Sequence, residues 1–450
     1  MESHSHHSGR SSREIFLTKC YRTVFIESRH EKRLPLIQKV PPKLREVETN
    51  KDCFDPLVVS IGPYHYGREE CHIMEDLKYK RAKRLLSISS RCHDTFEDLY
   101  DMVLKVVKEN DLRAHYAYNF SDEFDDEQFA AIMFLDGCFI LDFICYWLYE
   151  DCKEEEEGAR ERDNSIMRDL FLLENQLPFL VLQELMRKIY IGDIKKRIWI
   201  EEEDEEELLW TTREDAQETI IRFINQQIVP HEDILNSDHY SSEQPQPLHL
   251  LDCLRTRLEG KYRPPESKRE KYQLIRSAKE LKAARTVFKS SCEHVLSQIS
   301  FHSGMIFAEC SLPTIVINNS TKSIFLNLAA YEMCPDASLY KVVTSYICLM
   351  DDLINDADDV KVLCSEGILL NFLGSNQQLA DLFNQMPNQL APDHSIYSHV
   401  KQCMASHYAK KRIRFLNSWA SLGVTAASLA LILTFIQTFF TIFPTDSFKN

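Results

Sequence analysis

The chain has 450 residues, 44% of them apolar and 27% charged, with a formal net charge of −16 at neutral pH. That balance can fill a sizeable globular core, but so acidic a chain lacks the basic face that a nucleic-acid partner requires, and none is expected. Only 11 glycines speak against glycine-rich phosphate loops and against a turn-dense β architecture.

Residues 1–34 read as a variable N-terminal segment, and its opening MESHSHHSGRSSR has no apolar run that could serve as a secretory signal. In "DPLVVSIGPYHYG", Pro63 and two glycines predict a rigid turn presenting Tyr64, His65 and Tyr66. His65 is a candidate general base; the bland alternative is a turn docked on the core with His65 satisfying a buried partner. On the helix that follows, Glu75 and Lys78 are spaced to pair. Lys80, Arg81, Lys83 and Arg84 continue it as a basic stripe, suited to solvent or to lipid headgroups. "TFEDLYDMVLKVVKEN" predicts an amphipathic helix capped by Thr95.

"EQFAAIMFLDGCFILDFICYWLYED" is apolar on nearly every face and predicts a central buried helix, with Asp136 in its midst. Cys138, Cys145 and Cys152 recur every seven residues along it. The 14 cysteines of the chain form no CxxC pair, so these read as buried reduced thiols on the cytosolic side. Acidic runs at 150–163 and 201–207 read as solvated loops. Between them, "DLFLLENQLPFLVLQELM" predicts two helical pieces bent at Pro178. Glu174, Asn175 and Gln176, set among apolar residues, would then bond to freed backbone; Glu174 could also pair catalytically with Asp136.

A linker is expected at 241–247, followed by a helix over "YQLIRSAKELKAARTVFK". "LPTIVINNSTKSIFLNL" predicts a small hairpin, Ile315 to Ile317 against Ile324 to Leu326. Five aspartates, Asp351, Asp352, Asp356, Asp358 and Asp359, resemble a magnesium-diphosphate cluster at first sight. A second acidic wall is missing, and an EF-hand pattern fails for want of its glycine and glutamate. The cluster therefore reads as a helix end near Ile354, an acidic turn, and Asp358 or Asp359 capping the next helix. GxSxG, HExxH, GxxxxGK[ST] and GxGxxG are all absent, so no cofactor and no metal site is predicted.

Residues 419–443 run 25 positions without a charge, enough for the roughly 20 apolar residues that span a bilayer. Trp419, Leu429, Leu433, Phe440 and Phe443 would form the anchor. Lys410, Lys411, Arg412 and Arg414, in the preceding segment 410–418, keep the bulk of the chain in the cytosol by the positive-inside rule. Residues 444–450 complete a tail-anchored, single-pass topology, in the plasma membrane or the endoplasmic reticulum. Residues 35–409 would then form one mainly α, multi-helical domain with at most a small β-hairpin, followed by the transmembrane helix.

Several phrases occur together: "DPLVVSIGPYHYG", "MEDLKYKRAKRLL", "FLDGCFILD", "LFLLENQLPFLVLQEL", "LHLLDCLR", "SAKELKAARTVF", "NLAAYE" and "YICLMDDLINDADDVKVL". In this order and spacing the chain resembles the plant family catalogued as domain of unknown function 247, over about residues 35 to 443. The resemblance implies a plant origin, a membrane-anchored helical fold and, for the members of grass self-incompatibility systems, a role in recognition. The chain departs from the family pattern "DDxTExxxRNLIAFEQ", since Asn318 and Asn319 stand for the acidic pair and Leu326 for the basic residue. Two functions are expected: a protein–protein recognition module in signalling or, alternatively, a membrane-associated hydrolase or lyase using His65, Asp136 and Glu174 as acid–base groups.

Overall fold

The computed structural model describes residues 37–88, 95–118, 120, 123–148, 159–189, 213–228, 246–262, 274–291, 295–334 and 340–442. It is mostly helical, with two small sheets. At its centre lies α4 (Asp126–Leu148), and the residues from Phe129 to Tyr146 are almost all buried. Around it pack α2 (His72–Ile88), α3 (Phe96–Glu109), α6 (Phe179–Lys188) and α7 (Arg213–Ile228). The short α1 (Pro42–Arg45) precedes them, and α5 (Ala159–Asp169) fills the interval before α6. α3 begins as predicted, with Thr95 and Asp98 exchanging side-chain and backbone hydrogen bonds.

The C-terminal half contributes α8 (Leu250–Glu259), α9 (Ala278–Ala283), α10 (Thr321–Glu332), α11 (Val342–Leu353), α12 (Ala357–Ser365) and α13 (Asn376–Gln385). Its sheets are β1 (Thr286–Ser291), β2 (Ser300–Ser303) and β3 (Ala308–Pro313) in the order β1-β3-β2, and β4 (Ile315–Ile317) with β5 (Leu369–Asn371). β1 runs parallel to β3, β2 antiparallel to it, and β4 parallel to β5. One continuous apolar core joins both halves, from Ile37 to Met404. The last element, α14 (Ser398–Ile442), runs 45 residues.

Three expectations change. The hairpin over 315–326 does not form: Ile315 to Ile317 pair with Leu369 to Asn371, while Ile324 to Leu326 lie inside α10. Asn318 forms the turn leading into that helix, whose N-cap is Ser320; its side chain accepts from Ser320 N at 2.9 Å while its own N–H donates to Thr321 Oγ1 at 2.9 Å. The helix over "YQLIRSAKELKAARTVFK" stops at Ala283, because Arg285 enters the left-handed region at φ 66° and the β-branched Thr286 and Val287 open β1. "LFLLENQ" is a turn, so the only helix in that stretch begins after Pro178. Of the acidic run at 150–163, residues from Ala159 onward belong to α5 and the rest lie outside the described residues, as do Cys152 and the run at 201–207. The linker is described only at 246–247.

Among the described residues, α4 is the helix whose full length and apolarity would suffice to cross a membrane, and it is mostly buried. A shorter apolar stretch, Val424–Phe439, lies in α14. There Val424, Leu429, Leu433 and Phe435 are 60% exposed or more.

Candidate functional site

The loop of residues 57–65 is held by polar side chains that reach in from other elements. Asp169, at the end of α5, accepts from the N–H groups of Leu57, Val58 and Val59 at 2.8 to 3.1 Å. Asn175 accepts from Ile61 N at 2.7 Å and donates to Val59 O at 3.0 Å. Asp136, on α4, accepts from Gly62 N at 2.8 Å and from Lys78 Nζ at 2.6 Å. Lys78 also donates to Ser60 O and to Glu75, the expected partner three residues away. A charge so buried is costly unless paired and hydrogen-bonded, and here every position of the ammonium is used. Two carboxylates keep Lys78 protonated against the opposing effect of burial; burial lifts Asp136 to about 6 against the pull of Lys78.

Gly62 has φ 71°, and a Cβ there would sit 2.7 Å from Gln176 O. Glycine is therefore required twice over, by conformation and by space. Tyr116 OH closes the same point, donating to Gln176 O at 3.0 Å. Gln176 in turn donates to Leu170 O and Leu172 O and accepts from Leu251 N. Glu174 accepts from Val40 N at 2.7 Å and pairs with Arg45 at 3.0 Å. The polar trio bonds to backbone, but to that of distant segments and of its own turn rather than to groups freed by Pro178 in a bent helix.

His65 is buried and its Nε2 lies 3.9 Å from Glu174 Oε2. Arg68 NH1 stands 3.3 Å from Nδ1; since a guanidinium only donates, the ring proton belongs on Nε2. That Nε2 has no hydrogen-bond partner among the described residues. Burial pulls His65 down to about 4, with Arg68 and Arg45 acting in the same direction, so the ring is neutral at pH 7 and its contact with Glu174 is not an ion pair. The structure brings His65 and Glu174 together; Asp136 joins the same loop at Gly62, with its two oxygens on Lys78 and the Gly62 N–H. Sequence reasoning missed the pairing of Lys78 with Asp136, and it missed Asp169 and Asn327, the latter accepting from Leu173 N and donating to Cys53 O. The signal was present in two aspartates, Asp136 and Asp142, on a helix apolar all round, which must find cations. Asp142 takes Arg81 and Arg84, so that part of the basic stripe faces the core and not lipid or solvent.

The five aspartates divide. Asp356 caps α12 and Asp359 answers as the reciprocal capping-box partner, so the cap falls two residues before Asp358. Asp359 also accepts from Lys279 N at 2.8 Å, and Lys279 Nζ donates to Asp356. Asp351 and Asp352 border a cavity of about 170 Å³ with Cys348, His394 and Lys401. Lys401 pairs with Asp352 at 2.5 Å; burial and the adjacent Asp352 raise Asp351 to about 6, and burial raises Cys348 to about 11. Pockets for drug-sized ligands run from roughly 300 Å³ upward, so this cavity falls below that size. Among the described residues no group of three His, Cys, Asp or Glu could hold a metal ion.

The class these features define is a mostly helical fold built round one buried polar centre. Its family profile, "Plant protein of unknown function", matches residues 37–433, and the chain belongs to that family, DUF247. It is similar to UPF0481 protein At3g47200 of Arabidopsis thaliana, 27% identical over 417 residues, 87% of this chain and 83% of the relative. It is also similar to Putative UPF0481 protein At3g02645 of Arabidopsis thaliana, 25% identical over 88% of each. No solved structure matches.

Proposed function

We propose that the chain is a membrane-anchored protein-binding module, with α14 as its anchor and the helical domain facing the cytosol. The observation that carries this reading is the emergence of α14 from the folded part with its apolar side chains exposed from Val424 to Phe439. Apolar exposure of this extent is the mark of a surface covered by lipid or protein. Ser428, Thr434, Thr438 and Thr441 each donate back to the carbonyl four residues earlier, which removes their polar cost in a bilayer. The 25-residue charge-free run would extend about 37 Å as a helix, longer than a hydrocarbon core of roughly 30 Å.

Binding rather than catalysis is supported by the engagement of the candidate acid–base groups. Asp136 and Glu174 each hold a cation and a backbone N–H, and His65 lies against Glu174 inside the core. The expected result is that the full chain stays in the membrane pellet on alkaline carbonate extraction, whereas L429R/L433R releases it. A parent chain that appears in the supernatant would contradict the anchor. Cross-linking on membranes should return a protein partner at stoichiometric yield; recovery of chaperones alone would count against the binding role.

A further inference from the structure

The hairpin joining β2 to β3 turns at Met305 and Ile306, with Gly304 N donating to Phe307 O at 2.9 Å. Tight hairpin turns select Gly, Asn and Asp for their backbone freedom and local hydrogen bonds. This one carries Met-Ile-Phe, and the three side chains are 85%, 57% and 58% exposed. Elsewhere before α14, the large exposed apolar residues among those described, such as Ile73, Leu274 and Phe372, stand singly in the sequence. An apolar triplet at a hairpin tip gains nothing from folding and therefore points to something outside the domain.

Its position is set by α14. His407, buried at the base of that helix, contacts Ser303 Oγ and Ala284 O through its two ring nitrogens, both at 2.9 Å. Tyr397 OH donates to Leu296 O at 2.7 Å, and Met404 is fully buried. One turn beyond His407, Lys411 Nζ donates to Met305 O at 3.3 Å and to Ile306 O at 2.5 Å. The tip therefore lies beside α14 at Lys411, eight residues before Trp419, a helical rise of about 12 Å. The interfacial layer occupies roughly 5–7 Å of each leaflet, and a modest helix tilt shortens the remaining gap. Glu309, the acidic residue next to the tip, is neutralised by Lys289 at 2.6 Å, while Lys410 is exposed nearby.

We propose that the Met305–Ile306–Phe307 tip is a second membrane contact, inserting at the headgroup boundary of an anionic leaflet beside the anchor. It would convert a single-helix tether into a two-point attachment and set which face of the domain is presented to partners. This inference rests on the membrane reading above. Its chemistry is that of interfacial binding, apolar side chains below the headgroups with lysines at the phosphate level.

The test uses the full chain reconstituted in phosphatidylcholine–phosphatidylserine vesicles, with the photoreactive residue p-benzoylphenylalanine placed singly at Phe307, Met305, Ile73 or Leu433. The expected result is lipid adduct at Phe307 and Met305, several-fold above that at Ile73, together with strong adduct at Leu433. Adduct at Leu433 with only the Ile73 background at both hairpin positions would overturn the inference and leave the anchor standing. Adduct at the hairpin but none at Leu433 would support the interfacial contact and overturn the anchor; none at any position would overturn both. Cross-linking of the hairpin to protein in place of lipid would also overturn it.

Discussion

Lys78 shows how a single residue can decide whether the centre of this molecule folds. It is almost wholly buried, and its ammonium is divided among Asp136, Glu75 and Ser60 O. Removing one partner of such a pair leaves an uncompensated charge, so Lys78→Met should cost about 3–5 kcal/mol in denaturant unfolding. The double variant K78M/D136L should recover part of that loss, and a K78M protein of parental stability would contradict the pairing. His65 gives a pH dependence. Its folded value near 4 lies below the ordinary 6.5, so the unfolded chain takes up a proton that the folded one refuses. Its contribution is intact above about pH 6.5 and is lost progressively as the pH falls toward 4. His65→Gln should flatten the stability curve across that window relative to the parent, and an unchanged slope would contradict the burial of a neutral ring.

Among elements, the 57–65 loop depends on groups supplied by α2, α4, α5 and the turn before α6. Gly62 is the point at which its backbone passes closest to that turn. Gly62→Ala adds a left-handed penalty of at least about 1–2 kcal/mol and a contact with Gln176 O, so limited proteolysis should cut the loop faster while the helical signal persists. Parental resistance would contradict the close approach. The same elements show what sequence patterns reveal and where they stop. α4 was legible because a run of that length, apolar on every face but for Asp136 and Asp142, reads as a buried helix. α10 was not, since all of it but Lys322 is buried from Thr321 to Glu332 and so it loses the 3.6-residue period; Asn-Asn-Ser-Thr signals a turn and a helix start alike. The sheet β1-β3-β2 was hidden because "ELKAA" runs without a break in composition into "RTVFK", and a parallel pairing of Thr286 with Ala308 leaves no local mark. At the polar centre, Glu174, Asn175 and Gln176 were conspicuous, whereas Lys78 and Asp169 lay within ordinary helical charge patterns.

At the scale of the molecule, the family phrases converge on one interior. "DPLVVSIGPYHYG", "FLDGCFILD" and "LFLLENQLPF" supply the loop, the central helix and the turn that clamp each other. Asn327 extends this to the C-terminal half by accepting from Leu173 N and donating to Cys53 O. On the proposed membrane reading α14 sets the orientation of the domain, and protease protection of intact membranes carrying the chain tagged at both ends tests it most directly. The expected result is loss of the N-terminal tag and of the domain to external protease, with the C-terminal tag protected. A domain that is itself protected, with glycan on the acceptor sequences Asn318-Asn319-Ser320 or Asn319-Ser320-Thr321, would contradict the cytosolic orientation, and digestion of both tags would contradict the span.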